Sequence, residues 1–163
     1  MKNKKHHKLE GYYFITLSTK DQKNQFGKIE NDRVILNKRG EIANLDWTCI
    51  TKKFGNVSLD EYVVMPNHIH AIVIFKDGVG KKSREEKLLN EIVDTFESCV
   101  KNDINRSFPR AKTFRWQKLP EIRRISNESE LFDMRYYIDS NPIRWEMDPE
   151  NLFRGQKVSV RSR

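Results

Sequence analysis

The stretch from residue 57 to residue 75 restricts the fold of this chain more than any other. Residues 57–64 and 68–75 are rich in β-branched and other apolar residues, and Met65-Pro66-Asn67 separates them. Because proline and asparagine favour a tight turn, the pattern predicts two antiparallel β-strands. The second strand begins His68-Ile69-His70, and alternate residues of a strand point to the same face. Two imidazoles would therefore lie side by side on one face of a sheet.

Two imidazoles at this spacing can share one divalent metal ion. The other two histidines of the chain, His6 and His7, lie in the basic N-terminal segment, so the predicted folded body contains only this pair. Paired histidines in a strand can also be ordinary core or surface residues, and the motif alone favours that interpretation. A metal site therefore needs support from elsewhere in the sequence.

Length and composition favour one soluble domain. The chain has 163 residues, of which 33% are charged and 37% hydrophobic, and no apolar run approaches the roughly 20 residues that span a bilayer. We identify no signal peptide, and Cys49 and Cys99 lack metal-binding spacing, which favours free thiols in a cytoplasmic protein over a disulfide.

The net charge of +8 is unevenly distributed along the chain. Residues 1–8 and 154–163 carry +4 each, and residues 106–124 carry +6. Solvated tails would explain the two ends, but the middle segment also contains Phe108, Phe114 and Trp116. Basic residues interleaved with aromatic ones are typical of single-stranded nucleic-acid binding, so a nucleoid-associated protein is expected.

The order of the predicted elements indicates the fold. The other elements are a strand at Tyr12–Ser18, a hairpin at Phe26–Leu36, a helix over residues 37–53 with apolar positions Ile42, Leu45, Cys49 and Ile50, a helix capped by Ser83, a basic irregular segment at 102–117, a strand at Leu119–Ile125, and a helix capped by Ser126 or Asn127 that ends near Asn141-Pro142. Apart from the hairpin, this is β-α-β-β-α-β followed by a helix. It predicts an α+β ferredoxin-like sandwich, whose antiparallel sheet carries helices on one face and has the histidine strand at its centre, beside the first strand. We expect a basic tail at 1–8, a single domain at 9–145, and a basic C-terminal tail at 146–163 that could be mobile.

A second candidate group lies in the last predicted helix. Tyr137 and Asn141 are four residues apart and would share one helix face, which would bring a phenol nucleophile close to an amide oxygen that can bind a metal. Alternatively, Tyr136 and Tyr137 are ordinary aromatics, and Asn141 simply ends the helix before proline.

These motifs together resemble a known family, the single-tyrosine transposases of the HUH nuclease class, which include insertion-sequence and REP-associated tyrosine transposases. Four segments match in the family's order and spacing, and they cover nearly the whole chain: Tyr13-Phe-Ile-Thr16, Met65-Pro-Asn-His-Ile-His70, Phe114-Arg-Trp-Gln117 and Tyr137-Ile-Asp-Ser-Asn-Pro142. The family's fold is ferredoxin-like, in agreement with the order of elements.

The resemblance implies a metal-dependent single-stranded DNA endonuclease and strand transferase that acts at hairpin-containing element ends. His68, His70 and Asn141 would bind Mg²⁺ or Mn²⁺. Tyr137 would form a covalent phosphotyrosine, in preference to Tyr136, which lies outside the motif's register. Relatives occur as homodimers and as monomers, so the oligomeric state stays open.

Candidate DNA contacts are basic or aromatic residues near the matched motifs: Arg115, Trp116, Lys118, Arg123, Arg124 and Arg144. The segment after Gln117 is charged where many relatives are aromatic, and Ile143 follows proline where relatives often have a small residue. The DNA sequence that is recognised is therefore not predicted. The alternative function is a non-catalytic module that binds single-stranded nucleic acid on the same fold. A hydrolytic zinc enzyme is disfavoured because the body lacks a second histidine motif.

Overall fold

The computed structural model describes residues 9–76 and 82–152. Its elements are β1 (Tyr12–Ser18), β2 (Gly27–Glu30), β3 (Arg33–Leu36), α1 (Lys38–Lys53), β4 (Val57–Val64), β5 (His68–Phe75), α2 (Lys82–Ser107), β6 (Glu121–Arg124), α3 (Glu128–Ser140) and α4 (Pro149–Leu152). Four strands form an antiparallel sheet in the order β4-β5-β1-β6, and β2 and β3 form a separate hairpin. The predicted ferredoxin-like fold is confirmed, and β5 is central and adjacent to β1 as expected.

The register of β1 against β5 sets the two faces of the sheet. Thr16 pairs with His70 and Ser18 pairs with His68, so the end of β1 lies beside the start of β5. Odd-numbered residues of both strands, such as Ile15 and Ile69, are buried in the larger core cluster with α1 and α2. Even-numbered residues face the opposite way, toward α3. The two helices of the predicted sandwich, α1 and α2, thus pack on one face of the sheet, and α3 covers the other face.

The predicted hairpin is present and turns at Asn31-Asp32, between β2 and β3. Asn31 and Asp32 both adopt positive φ, 49° and 60°, which is the conformation of a tight two-residue hairpin turn that asparagine and aspartate tolerate. Gly40 of α1 packs against this hairpin, because a side-chain carbon there would lie 2.1 Å from the carbonyl oxygen of Phe26. The hairpin is therefore fixed closely against α1.

The predicted apolar stripe of α1 is right at Ile50, which is buried, and wrong at Leu45, which faces solvent. The residues that the helix buries are Gly40, Ala43, Trp47 and Ile50, whereas Leu45 is 62% exposed and Ile42 and Cys49 are half-buried. Trp47 is fully buried and meets the Phe96 ring edge-on, with the ring centroids 4.9 Å apart. Because Trp47 is the largest side chain of α1, its burial determines which face of the helix packs inward.

Two further boundaries differ from the sequence prediction. Residues 102–107, predicted as irregular, continue α2, because Ile104 extends its buried stripe by another turn. β6 begins at Glu121 instead of Leu119, which lies before Pro120 and is 84% exposed. A proline cannot donate a ladder hydrogen bond, so its place just outside the strand is expected.

α3 begins and ends as predicted. The Asn127 side chain accepts a hydrogen bond of 2.9 Å from the Glu130 amide, and the helix ends at Ser140. In the described part of the predicted C-terminal tail, residues 146–152, the Glu150 carboxylate accepts from the Ser18 hydroxyl at the end of β1 at 2.9 Å. Residues 1–8 and 153–163, which include most of both predicted tails, lie outside the described residues. None of the described helices is long and apolar enough to cross a membrane.

Candidate metal centre

His68 and His70 lie side by side on the α3 face of β5. Their ring centroids are 4.3 Å apart, and both side chains are buried. Burial lowers the pKa of His68 to about 4, and burial together with the neighbouring His68 lowers the pKa of His70 well below its usual value. Both imidazoles are therefore neutral near pH 7, which is the form that binds metal ions.

His68 and His70 each have a hydrogen-bond partner at Nδ1, and these contacts leave the Nε2 atoms of both rings facing the space between the two histidines and Asp148. The Asn67 amide donates to the carbonyls of Gln22 and Glu150, each at 3.1 Å, so its Oδ1 accepts from His68 Nδ1 at 2.7 Å. The Thr16 hydroxyl lies 2.9 Å from His70 Nδ1. His70 Nε2 is buried and has no hydrogen-bond partner among the described residues. Backbone and side-chain contacts of this kind commonly orient metal-binding histidines.

Asn141 and Asp148 complete the site opposite His68. Asn141 Nδ2 donates to Asp148 Oδ2 at 2.7 Å, which turns Asn141 Oδ1 toward His68 Nε2 at 3.3 Å. With the His68 proton on Nδ1, that contact joins two lone-pair atoms. Asp148 Oδ2 also lies 3.8 Å from His68 Nε2, and ligand atoms of His68, His70 and Asp148 lie within 4.8 Å of one another.

Convergence of buried lone pairs without a proton between them is electrostatically unfavourable, and a cation would relieve it. The lone-pair atoms concerned are His68 Nε2, the Asn141 amide oxygen and the Asp148 carboxylate oxygen, and the imidazole of His70 lies beside them with its Nε2 unpartnered among the described residues. Such a mixed nitrogen and oxygen set is compatible with several divalent ions, including Mg²⁺ and Mn²⁺. The residues present therefore fit the divalent metal that the sequence predicts.

Asp148 was not among the sequence-predicted ligands, because it lies beyond the Asn-Pro motif in a segment assigned to the tail. Its Oδ1 accepts from the Glu150 amide at 2.8 Å at the start of α4. Burial raises the pKa of Asp148 above its usual range, as expected for a carboxyl group without a cation beside it. A signal was present in the sequence, since aspartate followed by proline is a typical helix start.

The two adjacent tyrosines have different surroundings. The Tyr137 ring lies beside His70 of the same chain, with the centroids 5.2 Å apart, and it is half-buried against Phe14. Burial and then the Asp148 carboxylate raise the pKa of Tyr137 to about 12. Tyr136 is 53% exposed, and the Arg144 guanidinium lies 5.2 Å from its ring centre. Only Tyr137 adjoins the histidines.

The six predicted DNA-contacting residues lie in three places. Arg115 and Trp116 are next to the end of β1, where Trp116 forms an isolated bridge with Thr19 and donates its indole N–H to the Glu97 carbonyl at 3.1 Å. Lys118 is exposed, and Arg123 and Arg124 belong to β6, where Arg123 pairs with Glu130 at 2.8 Å. Arg144 follows α3. Trp116 is partly buried and packs with Phe26 and Phe114 against the larger core cluster.

Solved structures with the same fold include two transposases. A REP-associated tyrosine transposase bound to a REP hairpin aligns with a TM-score of 0.54 and 18% identity, over 89% of this chain and 74% of the other. A candidate transposase from Deinococcus radiodurans R1 aligns with a TM-score of 0.51 and 13% identity, over 86% of this chain and 96% of the other. At these identities the likeness establishes the fold.

No protein-family model matches the sequence. An uncharacterized protein of Haemophilus influenzae is 30% identical over 156 residues, which cover 87% of this chain and 86% of that protein. Similarity at this level over nearly the full length of both chains indicates common descent. The chain therefore belongs to the same protein family as the Haemophilus influenzae protein.

Proposed function

We propose that this protein is a transposase, a metal-dependent endonuclease and strand transferase that acts on hairpin-containing single-stranded DNA. The observation that carries the proposal is the position of Tyr137, whose ring lies 5.2 Å from that of His70 at the edge of a buried cluster of lone-pair donors. One neighbour in fold is a REP-associated tyrosine transposase bound to a REP hairpin, which supports DNA as the substrate.

His68 Nε2, His70 Nε2 and Asn141 Oδ1 would hold the Mg²⁺ or Mn²⁺ ion, with Asp148 as a further ligand. When bound, the ion would neutralise charge on a non-bridging phosphate oxygen and orient the phosphate for in-line attack. Asn67 and Thr16 would keep the two Nε2 lone pairs directed at that position. Asp148, by accepting from Asn141 Nδ2, would keep the amide oxygen directed there as well.

Tyr137 would be the nucleophile. Its hydroxyl oxygen would form a bond to phosphorus while the bond from phosphorus to the 3′ oxygen breaks, and the 3′ oxygen would leave as a hydroxyl. The phosphotyrosine ester retains the energy of the broken bond, so a 3′-hydroxyl can later attack it and rejoin DNA. Since the pKa of Tyr137 is about 12 in the metal-free protein, the phenol is a weak nucleophile until positive charge adjoins it.

The nucleophile can be tested with a labelled hairpin oligonucleotide and Mn²⁺. We expect the wild-type protein and Tyr136→Phe to form a covalent adduct on denaturing gels, and Tyr137→Phe to form none. Tyr136→Phe is a matched control, because it removes the same hydroxyl from the neighbouring helix position. An adduct that persists in Tyr137→Phe and vanishes in Tyr136→Phe would contradict the assignment.

Mixing two inactive variants tests whether one chain contains the whole site. His70→Ala should abolish adduct formation and spare most DNA binding. Because Tyr137 adjoins His70 of its own chain, a mixture of His70→Ala and Tyr137→Phe should stay inactive. Recovered activity would mean that the working enzyme is a homodimer in which tyrosine and histidines come from different chains.

The alternative is a non-catalytic module that binds single-stranded nucleic acid. The raised pKa and partial burial of Tyr137 favour this alternative. It predicts salt-sensitive binding that is unchanged by EDTA, by His68→Ala and by His70→Ala, with no adduct under any condition.

A further inference from the structure

A basic cleft lies next to the end of β1, outside the metal centre. It has a volume of about 260 Å³, and its lining includes five cationic side chains and one carboxylate. These are Lys20, Lys23, Arg39, Lys112, Arg115 and Asp21. Three separate segments of the chain contribute these cations, so the charge is assembled by the fold and is not a single basic run.

Within the described part of the chain, residues 9–76 and 82–152, no carboxylate pairs with the cations of the cleft. The Arg39 guanidinium donates to Gln25 and lies over the Phe108 ring, 5.3 Å from its centre, so neutral groups hold it in place. A concave group of unpaired cations concentrates positive potential and attracts an anionic ligand.

The cleft is connected to the metal centre through one short turn, Lys20–Gln22. The Lys20 amide donates to the Arg115 carbonyl at 3.0 Å, which joins this turn to the far wall of the cleft. On its other side, the Gln22 carbonyl accepts from Asn67 Nδ2, and Gln22 Nε2 donates to Glu150 Oε2, both at 3.1 Å. Asn67 in turn orients His68. The cleft and the metal centre therefore lie on opposite sides of the same short turn, close enough for one DNA strand to contact both.

We propose that this cleft binds consecutive phosphates of a single DNA strand that leads to the metal centre. The inference rests on the proposed function, because it names a subsite for that substrate. None of the described residues that line the cleft is aromatic, so its walls offer charge to the phosphates and no flat ring to the bases. Contacts made through phosphates alone are independent of sequence. A flexible single strand can follow a positively charged groove with its phosphates, as the strands bound by single-stranded nucleic-acid proteins do.

The test measures binding of a thirty-nucleotide oligothymidine in EDTA, so that neither metal nor cleavage contributes. The variant carries Lys20→Gln, Lys23→Gln and Lys112→Gln, all at exposed side chains outside the core. We expect its affinity to fall about tenfold near 100 mM salt, and the slope of log K against log salt to fall by roughly two. A mixed-sequence strand should lose affinity by the same factor.

The matched control removes three exposed lysines elsewhere, Lys52→Gln, Lys87→Gln and Lys101→Gln, and should leave affinity within about twofold of the wild type. Equal losses in both triple variants would overturn the proposal, since net charge alone would then explain binding. A cleft variant that loses affinity for duplex DNA but not for oligothymidine would also overturn it. Because no adduct is measured, the cleft can bind DNA as proposed even if Tyr137 proves not to be a nucleophile.

Discussion

The two faces of the central sheet are built from the same strands but differ in chemistry. On the α1 and α2 face, β1 and β5 contribute mainly apolar side chains, including Ile15, Leu17 and Ile69, and the Tyr13 hydroxyl on this face donates to the Glu85 carboxylate at 2.6 Å. The alternate residues of the same strands lie on the other face. They include Thr16, His68 and His70, whose side chains are as deeply buried as the apolar core. Strand alternation thus places a dry core and a polar site on opposite faces of the same two strands.

Burial of apolar side chains on one face of the sheet can offset the free-energy cost of unpaired polar atoms on the other face. A buried His70 Nε2 without a partner, and Asn141 Oδ1 facing His68 Nε2, both cost free energy in the metal-free protein. The apolar face has no such group on β1 or β5 and stabilises the sheet by burial. We therefore expect substitutions on the apolar face to change stability, and those on the polar face to change metal binding.

The largest stability effect is expected from Phe96→Ala on the apolar face. Phe96 is fully buried against Trp47, so its removal should lower the free energy of unfolding by about 3–5 kcal/mol. Urea denaturation followed by tryptophan fluorescence measures the loss. Mn²⁺ affinity of the folded protein should stay unchanged. A loss below about 1 kcal/mol would mean that this face does not hold the sheet together.

Sequence reasoning succeeded where a residue's role depends on local spacing. The strands β1, β4 and β5, the Asn127 cap and the adjacency of the histidines all follow from periodicity and turn chemistry. It failed where tertiary packing decides. Burial of Trp47 leaves Leu45, which was predicted on the apolar stripe of α1, facing solvent, and Asp148 reaches the site only because the chain folds back after α3. Tyr137 beside His70 also depends on where α3 docks, which the helix pattern alone cannot specify.

Metal binding should have the next largest effect, and it acts on the polar face. At a Mn²⁺ concentration of about one hundred times its Kd, the free energy of unfolding should rise by about 2.7 kcal/mol, and EDTA should reverse the gain. Thermal unfolding with and without Mn²⁺ measures it. His70→Ala should remove the increment, whereas Phe96→Ala should keep it at a lower overall stability. A Mn²⁺ increment that survives in His70→Ala would place the ion elsewhere.

The smallest effect, and the sharpest separation of the two faces, is expected at neighbouring residues of β1. Thr16→Val removes the hydroxyl beside His70 Nδ1 at nearly constant volume, so His70 loses the contact that orients it. Metal affinity should fall about 10- to 100-fold, as is typical when such a partner is lost.

Ile15→Val on the opposite face should instead lower the free energy of unfolding by about 0.5–1.5 kcal/mol and leave metal affinity unchanged. Calorimetric titration with Mn²⁺ alongside urea denaturation measures both quantities for each variant. If Ile15→Val weakens metal binding as much as Thr16→Val does, the two faces are energetically coupled through the strand, and the division between a stabilising face and a binding face does not hold.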